Sequence, residues 1–378
     1  MSPAQPTHRT IALLSLAAFA SAASIRVTDA LLVRISGDYG VSLASAANVV
    51  TVFAILYGLM QLAMGPLGDR HGKLRVIAVA CAAAPTFETL VLARAAAGAA
   101  CACVIPLSMA WIGDVTPYES RQGVLARFLL GQIMGLSAGV ALGGFAADGT
   151  SWQWPFAALA AWFVAIGALI GRAGWRQPEG AHAPGGNAIA NLLEVLRTPG
   201  VARILATVFL EGVVLLGPLA FVATHLHLVR GAPMSLAGTM FFAVSAGGVV
   251  FAFFARRIVP ALGEARLAVL GTVIVSASVL GIAWAPTIAA APLSCFGAGM
   301  GFYMLHNTLQ TNATQMAPTR RGTAMALFAG IFFIGQSGGV AIGGRLAETV
   351  GTGWTLTASA LAVLPVGIGF VLTRRRAA

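Results

Sequence analysis

Four ionisable residues interrupt long apolar runs of this sequence. Arg26 and Asp29 lie near the end of the first run, Arg94 near the start of a later one, and Glu211 near the middle of another. A charge in an apolar segment that crosses a bilayer is costly, so such residues usually serve a function. Because a buried carboxyl group can take up and release a proton, we interpret Glu211, Asp29, Arg94 and Arg26 as candidates for proton coupling. The alternatives are a structural ion-pair cluster of Arg26, Asp29 and Arg94, and a neutral, hydrogen-bonded Glu211.

A second polar set, Tyr303, His306, Asn307 and Gln310, has the spacing of one helix face. We expect this face to line a substrate cavity, although a lone buried histidine also fits a hydrogen-bonded core residue. At about 1.5 Å of rise per residue, Glu211 and His306 should lie within about 5 Å of each other in depth. We predict that they approach each other through at most one water.

No metal-ligand pattern or cofactor site is apparent. His225 and His227 are two residues apart without a third ligand nearby, and the four cysteines fall inside apolar runs. Neither G-x-x-x-x-G-K-[ST] nor H-E-x-x-H occurs, so a built-in ATPase or an enzyme is not expected. We expect no cofactor, with a proton gradient as the driving force.

The composition indicates an integral membrane protein. Of the 378 residues, 58% are hydrophobic and 9% are charged, and the mean hydropathy is +0.85. A soluble domain carries about 25% charged residues. The formal net charge of +11 is distributed between apolar runs rather than in a basic stripe, so nucleic acid is not an expected partner.

Apolar segments that reach the length of about 20 residues needed to cross a bilayer set the topology. They lie near residues 11–33, 44–66, 88–113, 123–147, 153–172, 203–224, 236–255, 266–284, 287–311, 323–346 and 353–373. Counting a shorter segment at 74–87 as span 3 predicts twelve spans. Of the 23 Lys and Arg residues, 18 then fall on one side, which is typical of the cytoplasmic face. Both termini are therefore predicted to be cytoplasmic.

The two halves of the chain repeat. Residues 135–148 match residues 335–348 without a gap, and Asp148 corresponds to Glu348. The repeated glycines, which we interpret as helix-packing positions, are Gly135, Gly139, Gly143, Gly335, Gly339 and Gly343. A hydrophilic stretch separates the halves, which predicts six-helix bundles at 1–172 and 203–378 and a cytoplasmic linker with a short interfacial helix at 173–202.

The repeat makes span 3 appear shortened. Arg75 corresponds to Arg266, but Pro85 follows Arg75 by 10 residues whereas Pro286 follows Arg266 by 20. Span 3 therefore lacks about ten residues, or about 15 Å of helix, that span 9 has. We expect a deletion at this place.

The segment GPLGDRHGKLR at 65–75 carries the most specific motif. It resembles the G-x-L-x-D-R-x-G-R-R/K signature of the major facilitator superfamily, and the resemblance extends over essentially the whole chain. It implies two six-helix bundles and a loop between spans 2 and 3 whose charges hold one face shut. The residues of this cytoplasmic gate motif would be Gly65, Asp69, Arg70, Gly72, Lys73 and Arg75. The alternative is a basic cytoplasmic loop with a turn.

Further stretches resemble motifs of the same family. Leu90, Arg94 and Gly98 resemble L-x-x-x-R-x-x-Q-G, with Ala97 in place of Gln. The span 5 glycines resemble G-x-x-x-G-P-x-x-G-G of proton-coupled exporters, but Val140 replaces the Pro. Residues 301–318 resemble a bacterial subgroup of drug or sugar efflux permeases.

We therefore expect an all-α membrane protein of twelve helices that acts as a monomer in a bacterial inner membrane. The resemblance implies a proton-coupled secondary transporter that exports a small organic molecule by alternating access. A proton symporter or uniporter for uptake and a transport-inactive sensor or assembly partner remain alternatives. The expected partners are the substrate, protons and the lipid bilayer.

Inserting about ten apolar residues before Pro85 should lengthen span 3 by about 15 Å and remove its mismatch with the bilayer. We expect a higher expression level and a higher apparent Tm of the purified protein. Inserting the same residues in the linker after Pro184 is the control and should not raise the Tm. A lower Tm for the span 3 insertion would contradict the predicted deletion.

Overall fold

The computed structural model describes residues 8–71, 90–116, 118–149, 151–174, 188–317 and 320–375. Within these ranges the regular structure is helical throughout. A helix satisfies its backbone hydrogen bonds within itself, which lipid requires because it offers no other partner. Span 3 and Pro85 lie outside the described residues, so the shortening stays a prediction.

The helices of the first half are α1 His8–Arg26, α2 Leu32–Tyr39, α3 Leu43–His71, α4 Leu90–Cys101, α5 Val104–Val115, α6 Tyr118–Asp148 and α7 Trp154–Gly174. The linker contains α8, Ala188–Arg197. The helices of the second half are α9 Val201–Glu211, α10 Val222–Arg230, α11 Met234–Thr239, α12 Phe241–Trp284, α13 Ala291–Gln315, α14 Arg321–Thr349 and α15 Thr352–Arg375.

Among the described residues, 9 helical stretches are long and apolar enough to cross a membrane. One of them, Met234–Trp284, is interrupted at Gly263, whose φ of 70° and ψ of 159° are not helical, and it therefore contains spans 8 and 9. Span 4 consists of the shorter helices α4 and α5. The chain is a multi-pass membrane protein, and the total of twelve spans stays a prediction.

Each half of the chain buries an apolar core of its own. One buried cluster takes its members from residues 13–170. A larger one takes nearly all of its members from residues 195–371. The halves meet along two seams: α3 packs against α14 in the first, and α6 packs against α11 and the start of α12 in the second. The division into two bundles agrees with these cores, while the bounds at 172 and 202 stay predictions.

Glycines bring α6 and α14 into backbone contact with the helices beside them. A Cβ at Gly135 or Gly139 would collide with the carbonyl oxygen of Phe19 or Ala23 on α1. In the second half, a Cβ at Gly335 would collide with the carbonyl oxygen of Phe209 on α9. Gly143 and Gly343 continue the two faces toward Val27 and Phe221. This is the arrangement that a helix-packing role requires, because only glycine lets two backbones come so close.

The motif at 65–75 begins inside a helix, and our expectation that the motif lies in a loop between spans 2 and 3 was wrong for its first residues. Helix α3 continues to His71, so Gly65, Asp69 and Arg70 lie in its last turns. A helix that has already formed extends with little further cost, which explains why it runs past the apolar segment. Gly72, Lys73 and Arg75 lie outside the described residues.

Two adjacent glycines of α14 offer a matched test of the backbone contact. A Cβ at Gly339 would collide with the carbonyl oxygen of Val213, whereas a Cβ at Gly338 would meet only the Val213 side chain, at 4.0 Å. We expect Gly339→Ala to destabilise the fold by about 1–3 kcal/mol through overpacking. Gly338→Ala, the control, should leave the apparent Tm of the purified protein nearly unchanged. Equal shifts for both variants would show that the backbone contact does not limit stability.

Candidate functional site

Span 1 is broken where its charged residues lie. Helix α1 ends at Arg26, a short 3-10 turn covers Asp29–Leu31, and α2 begins at Leu32. Gly143 of α6 packs against the backbone at Val27, inside this break. Arg26 and Asp29, which are three residues apart, flank this break and are in contact.

Arg26, Asp29 and Arg94 lie together at this break, as we expected. Arg26 Nη1 lies 2.8 Å from Asp29 Oδ2, and the Asp29 side chain is fully buried. Arg94 Nη1 donates a hydrogen bond of 2.8 Å to the Ser24 carbonyl oxygen, and its guanidinium lies 4.0 Å from the centre of the Phe53 ring. Asp29 also interacts electrostatically with Arg94. The cluster is thus one buried anion between two cations.

The cluster extends from the first half of the chain to the second. The Arg26 guanidinium carbon lies 5.5 Å from the centre of the Phe241 ring at the start of α12. Arg26 also interacts electrostatically with Tyr303, on α13. A change in the charge of this cluster therefore acts across the interface between the halves.

Glu211 and His306 form the second buried ionisable contact. His306 Nδ1 lies 2.9 Å from Glu211 Oε2, and the Glu211 side chain is fully buried whereas that of His306 is 16% exposed. The predicted approach of these two residues is therefore a direct contact, without a bridging water. Glu211 Oε1 has no hydrogen-bond partner among the described residues. This oxygen is an acceptor available to a proton or to a donor group of a ligand.

Glu211 occupies the point where span 7 leaves regular helix geometry. Helix α9 ends at Glu211, a wider π-helical turn covers Gly212–Leu216, and a 3-10 turn covers Pro218–Phe221 before α10. Pro218 has no N–H to donate to the preceding turn. The Ser359 hydroxyl on α15 donates to the Val214 carbonyl oxygen instead. The neighbouring helix thus stabilises the break.

Aromatic rings surround the His306 imidazole. The ring centres of Phe332, Phe302 and Phe328 lie 4.7, 5.1 and 5.4 Å from that of His306. Phe333 beside them contacts Tyr57 of the first half, with ring centres 4.6 Å apart. Such apolar surroundings lower the local dielectric and strengthen the electrostatic interaction between Glu211 and His306.

Three other residues of α13 were predicted to line a substrate cavity together with His306. Tyr303, Asn307 and Gln310 are half-buried on the face that carries His306. The Tyr303 ring packs where Gly248 leaves room for it on α12. The polar face of α13 is therefore present, while its contact with a substrate stays a prediction.

Sequence reasoning missed one buried polar residue near this site. Gln336 of α14 is fully buried, and neither its amide oxygen nor its amide nitrogen has a hydrogen-bond partner among the described residues. It follows Phe332 by one helical turn and packs beside Gly212. A comparison of the two copies of the repeat could have found it, because Gln336 is polar where the first half has the apolar Leu136.

A second pattern that sequence reasoning overlooked has no catalytic setting. G-x-S-x-G, which marks the nucleophile of serine hydrolases, occurs at 135–139 and 335–339. In those enzymes the serine lies on a strained strand-to-helix turn. Here both copies lie within the helices α6 and α14, and the Ser137 hydroxyl donates a hydrogen bond of 2.6 Å to the Phe241 carbonyl oxygen. The serine serves packing between the halves.

Comparison with known proteins gives one family and several relatives. The sequence model of the Major Facilitator Superfamily matches residues 14–340. The chain is 29% identical to the multidrug export protein EmrB of Haemophilus influenzae over 153 residues, which are 38% of this chain and 30% of that protein. This match therefore covers less than a third of EmrB. An uncharacterised transporter of Bacillus subtilis, YceJ, is 24% identical over 339 residues, which are 84% of each chain.

A solved structure shows the same fold. It is that of a bacterial homologue of the human lysosomal transporter Spinster, in an inward-facing and occupied conformation. It matches with a TM-score of 0.75 over 99% of this chain and 98% of that one. At 16% identity the likeness is one of fold alone.

Replacing Asp29 with Asn would leave Arg26 and Arg94 buried without their counter-charge. We expect this variant to lose about 3–5 kcal/mol of stability, measured as a lower apparent Tm. The control, Asp38→Asn, removes the carboxylate of an exposed pair in which Arg34 Nε lies 2.9 Å from Asp38 Oδ1. Exposed pairs contribute at most about 1 kcal/mol. A Tm for Asp29→Asn as high as that of the control would rule out the buried cluster as a stabilising unit.

Proposed function

The chain belongs to the Major Facilitator Superfamily, and on that premise we propose that it is a proton-coupled secondary transporter that exports a small organic molecule. Members of this family are transporters rather than enzymes, and they bind small-molecule substrates within the bilayer. The proposal adds the coupling ion, the direction of transport and the residues that serve them. Transport proceeds by alternating access, in which the two halves move against each other.

The contact between Glu211 and His306 is the observation that carries this proposal. It joins a fully buried carboxylate to a half-buried imidazole across 2.9 Å, at the break in span 7. Imidazole changes its charge near neutral pH more readily than other side chains do. A proton taken up by the Glu211 carboxylate removes its negative charge, and with it the attraction to the His306 imidazole, so the two side chains are released from each other. If the two access states hold the pair differently, protonation shifts the balance between them.

Glu211 suits the role of proton carrier better than Asp29. Asp29 lies beside Arg26, whose guanidinium stays protonated at all physiological pH values. The cation of that pair therefore keeps its charge through a transport cycle. Glu211 instead faces an imidazole, which can lose its proton. We assign Asp29, Arg26 and Arg94 to the electrostatic frame around the cavity.

An apolar or aromatic compound is the substrate class that the surroundings favour, and the name of a relative supports export as the direction. Three phenylalanine rings lie around His306, and drug-sized ligands bind in mostly apolar sites with a few polar groups. Tyr303, Asn307 and Gln310 supply polar groups on the same helix. The relative EmrB is named a multidrug export protein, which supports efflux although the match covers only 30% of it.

The setting that we propose follows from the charge distribution. The excess of Lys and Arg on one side supports cytoplasmic termini, and the bacterial relatives support a location in the inner membrane. The protein acts as a monomer, with protons as its coupling partner and no cofactor.

The Glu211→Gln variant tests the coupling role. Gln imitates the neutral carboxyl, so proteoliposomes with an imposed pH gradient should lose gradient-driven accumulation. Exchange of substrate at equal pH should continue, because it needs no net proton movement. The substrate is first identified with a panel of dyes and sugars on the unmodified protein.

Asp38→Asn, which removes an exposed carboxylate, is the control and should accumulate substrate as the unmodified protein does. Undiminished accumulation by Glu211→Gln would show that the proton is carried elsewhere, with Asp29 the next candidate. Loss of exchange as well would place Glu211 in substrate binding rather than in coupling. Absence of transport by the unmodified protein would favour a sensor.

A further inference from the structure

An acidic side chain at the end of α6 bonds to the other half of the chain. Asp148 Oδ1 accepts a hydrogen bond of 3.1 Å from the Met234 N–H. Its Oδ2 accepts bonds of 2.8 Å from the Ser235 N–H and 2.6 Å from the Ser235 hydroxyl. These donors lie in the first turn of α11, and the N-cap residue before that helix, Pro233, makes no side-chain hydrogen bond to it. The start of α11 is thus capped by a residue of the opposite half.

The equivalent residue of the repeat makes the equivalent contact. Glu348, at the end of α14, accepts a hydrogen bond of 2.6 Å from the Ala44 N–H at the start of α3, and the Ser42 side chain bonds to it as well. Asp148 and Glu348 occupy matching positions in the two copies of the repeat. One contact runs from the first half to the second, and the other runs from the second half to the first.

A glycine one turn before each acidic residue permits this approach. A Cβ at Gly144 would collide with the Met234 carbonyl oxygen, and a Cβ at Gly344 would stand 3.1 Å from the Ala44 Cα. Both halves therefore carry the same device, a glycine followed four residues later by a carboxylate. The glycine lets the end of one helix reach the start of another, and the carboxylate bonds to the exposed N–H groups there.

The physical basis of the contact is the N-terminus of a helix. Its first N–H groups lack partners within the helix, and they carry a partial positive charge that a carboxylate stabilises. All four helix ends involved lie on the side predicted to face outward. The bonds exist only while the outer ends of the two halves touch, so opening the outer face must break them.

We propose that Asp148 and Glu348 form an outer clamp that holds this face closed and sets the balance between the two access states. This proposal rests on the proposed function, because a clamp of this kind acts only in a protein that works by alternating access. Asp148 is its stronger arm, because it makes three bonds and α11 has no local cap, whereas the start of α3 also has Ser42, whose hydroxyl oxygen accepts from the Ser45 N–H at 3.1 Å. The two residues position the halves and do not contact the substrate.

Deeper contacts in the second seam allow the clamp to open without separating the halves. The Ser137 hydroxyl donates to the Phe241 carbonyl oxygen at 2.6 Å, and the Ser245 hydroxyl donates to the Ile133 carbonyl oxygen at 2.9 Å. These bonds lie about three to four helical turns from Asp148 along α6. Loss of the clamp should therefore spread the outer ends and leave the middle of the seam in register.

Distances between spin labels on the outer face test the clamp in the full chain. One label pair, at Tyr39 and Val350, spans the first seam, and a second pair, at Gln153 and Val229, spans the second; all four residues are exposed. The labels are placed in a transport-tested background whose native cysteines are replaced by serine. Loss of a helix cap by alanine substitution should raise the ratio of open to closed protein about fivefold, and loss of both caps about 25-fold.

The combined variant Asp148→Ala with Glu348→Ala should thus show a new population at longer distance for both label pairs. Asp148→Ala alone should produce a larger population at longer distance than Glu348→Ala alone. Asp38→Asn removes a carboxylate of the same face whose Arg34 partner lies in the same half, and its distances should not change. If the combined alanine variant does not fold, Asp148→Asn with Glu348→Gln keeps the side-chain shapes. That variant should show the same population at longer label distance, in a smaller fraction of the molecules.

Unchanged distances in the combined variants, or an equal change in Asp38→Asn, would overturn the clamp. The measurement needs neither substrate nor a proton gradient, so it is independent of the coupling test. A chain that opens when the caps are removed, but accumulates nothing in a pH gradient, would overturn the proposed coupling and leave the clamp in place.

Discussion

The close backbone contact of α6 with α1, and of α14 with α9, is the constraint on which the rest of the structure depends. Glycines remove the side chains from these faces, so carbonyl oxygens of one helix lie where a Cβ of the other would be. A helix held so tightly along its length can be broken without separating from the bundle. Spans 1 and 7, which occupy equivalent places in the repeat, are both broken beside these faces. The breaks in turn place the buried charges.

The equivalent breaks hold ion pairs of different character. The pair in span 1 contains an arginine, which keeps its proton, and a second arginine adjoins it. The pair at span 7 contains a histidine surrounded by phenylalanine rings. Both pairs are costly to desolvate, and removing one partner from either would leave a buried charge. The repeat thus supplies an arginine pair and a histidine pair at comparable places, and this difference is the ground on which we propose the second half as the site of coupling.

Sequence reasoning predicted those features that depend on local pattern and missed those that depend on distant contacts. Span length and the repeat predicted most helices, and rise per residue predicted that Glu211 and His306 would meet. The break in span 7 was missed, although Pro218 signals it, because its stability depends on Ser359, which is distant in the chain. The phenylalanine rings around His306 were missed for the same reason, because the sequence of an apolar run does not indicate which residue each apolar side chain will contact. The helical course of Gly65–Arg70 was missed because the motif resembles a loop signature.

Adjacent residues of α6 show how one helix can serve both packing and motion. Gly143 faces Val27 of its own half, and Gly144 faces Met234 of the other half. On the first side the contact is a continuous backbone seam, in which many small dispersion gains add up and any shift would open a void. On the second side, at the outer end, the close backbone contact at Gly144 is joined by hydrogen bonds to Asp148, which water can replace if the proposed clamp opens. The hydrogen bonds that join the outer ends of the halves can therefore be exchanged for water, whereas the packing contact at Gly143 has no such replacement. In the alternating access that we propose, each half would then keep its own packing while the outer ends separate.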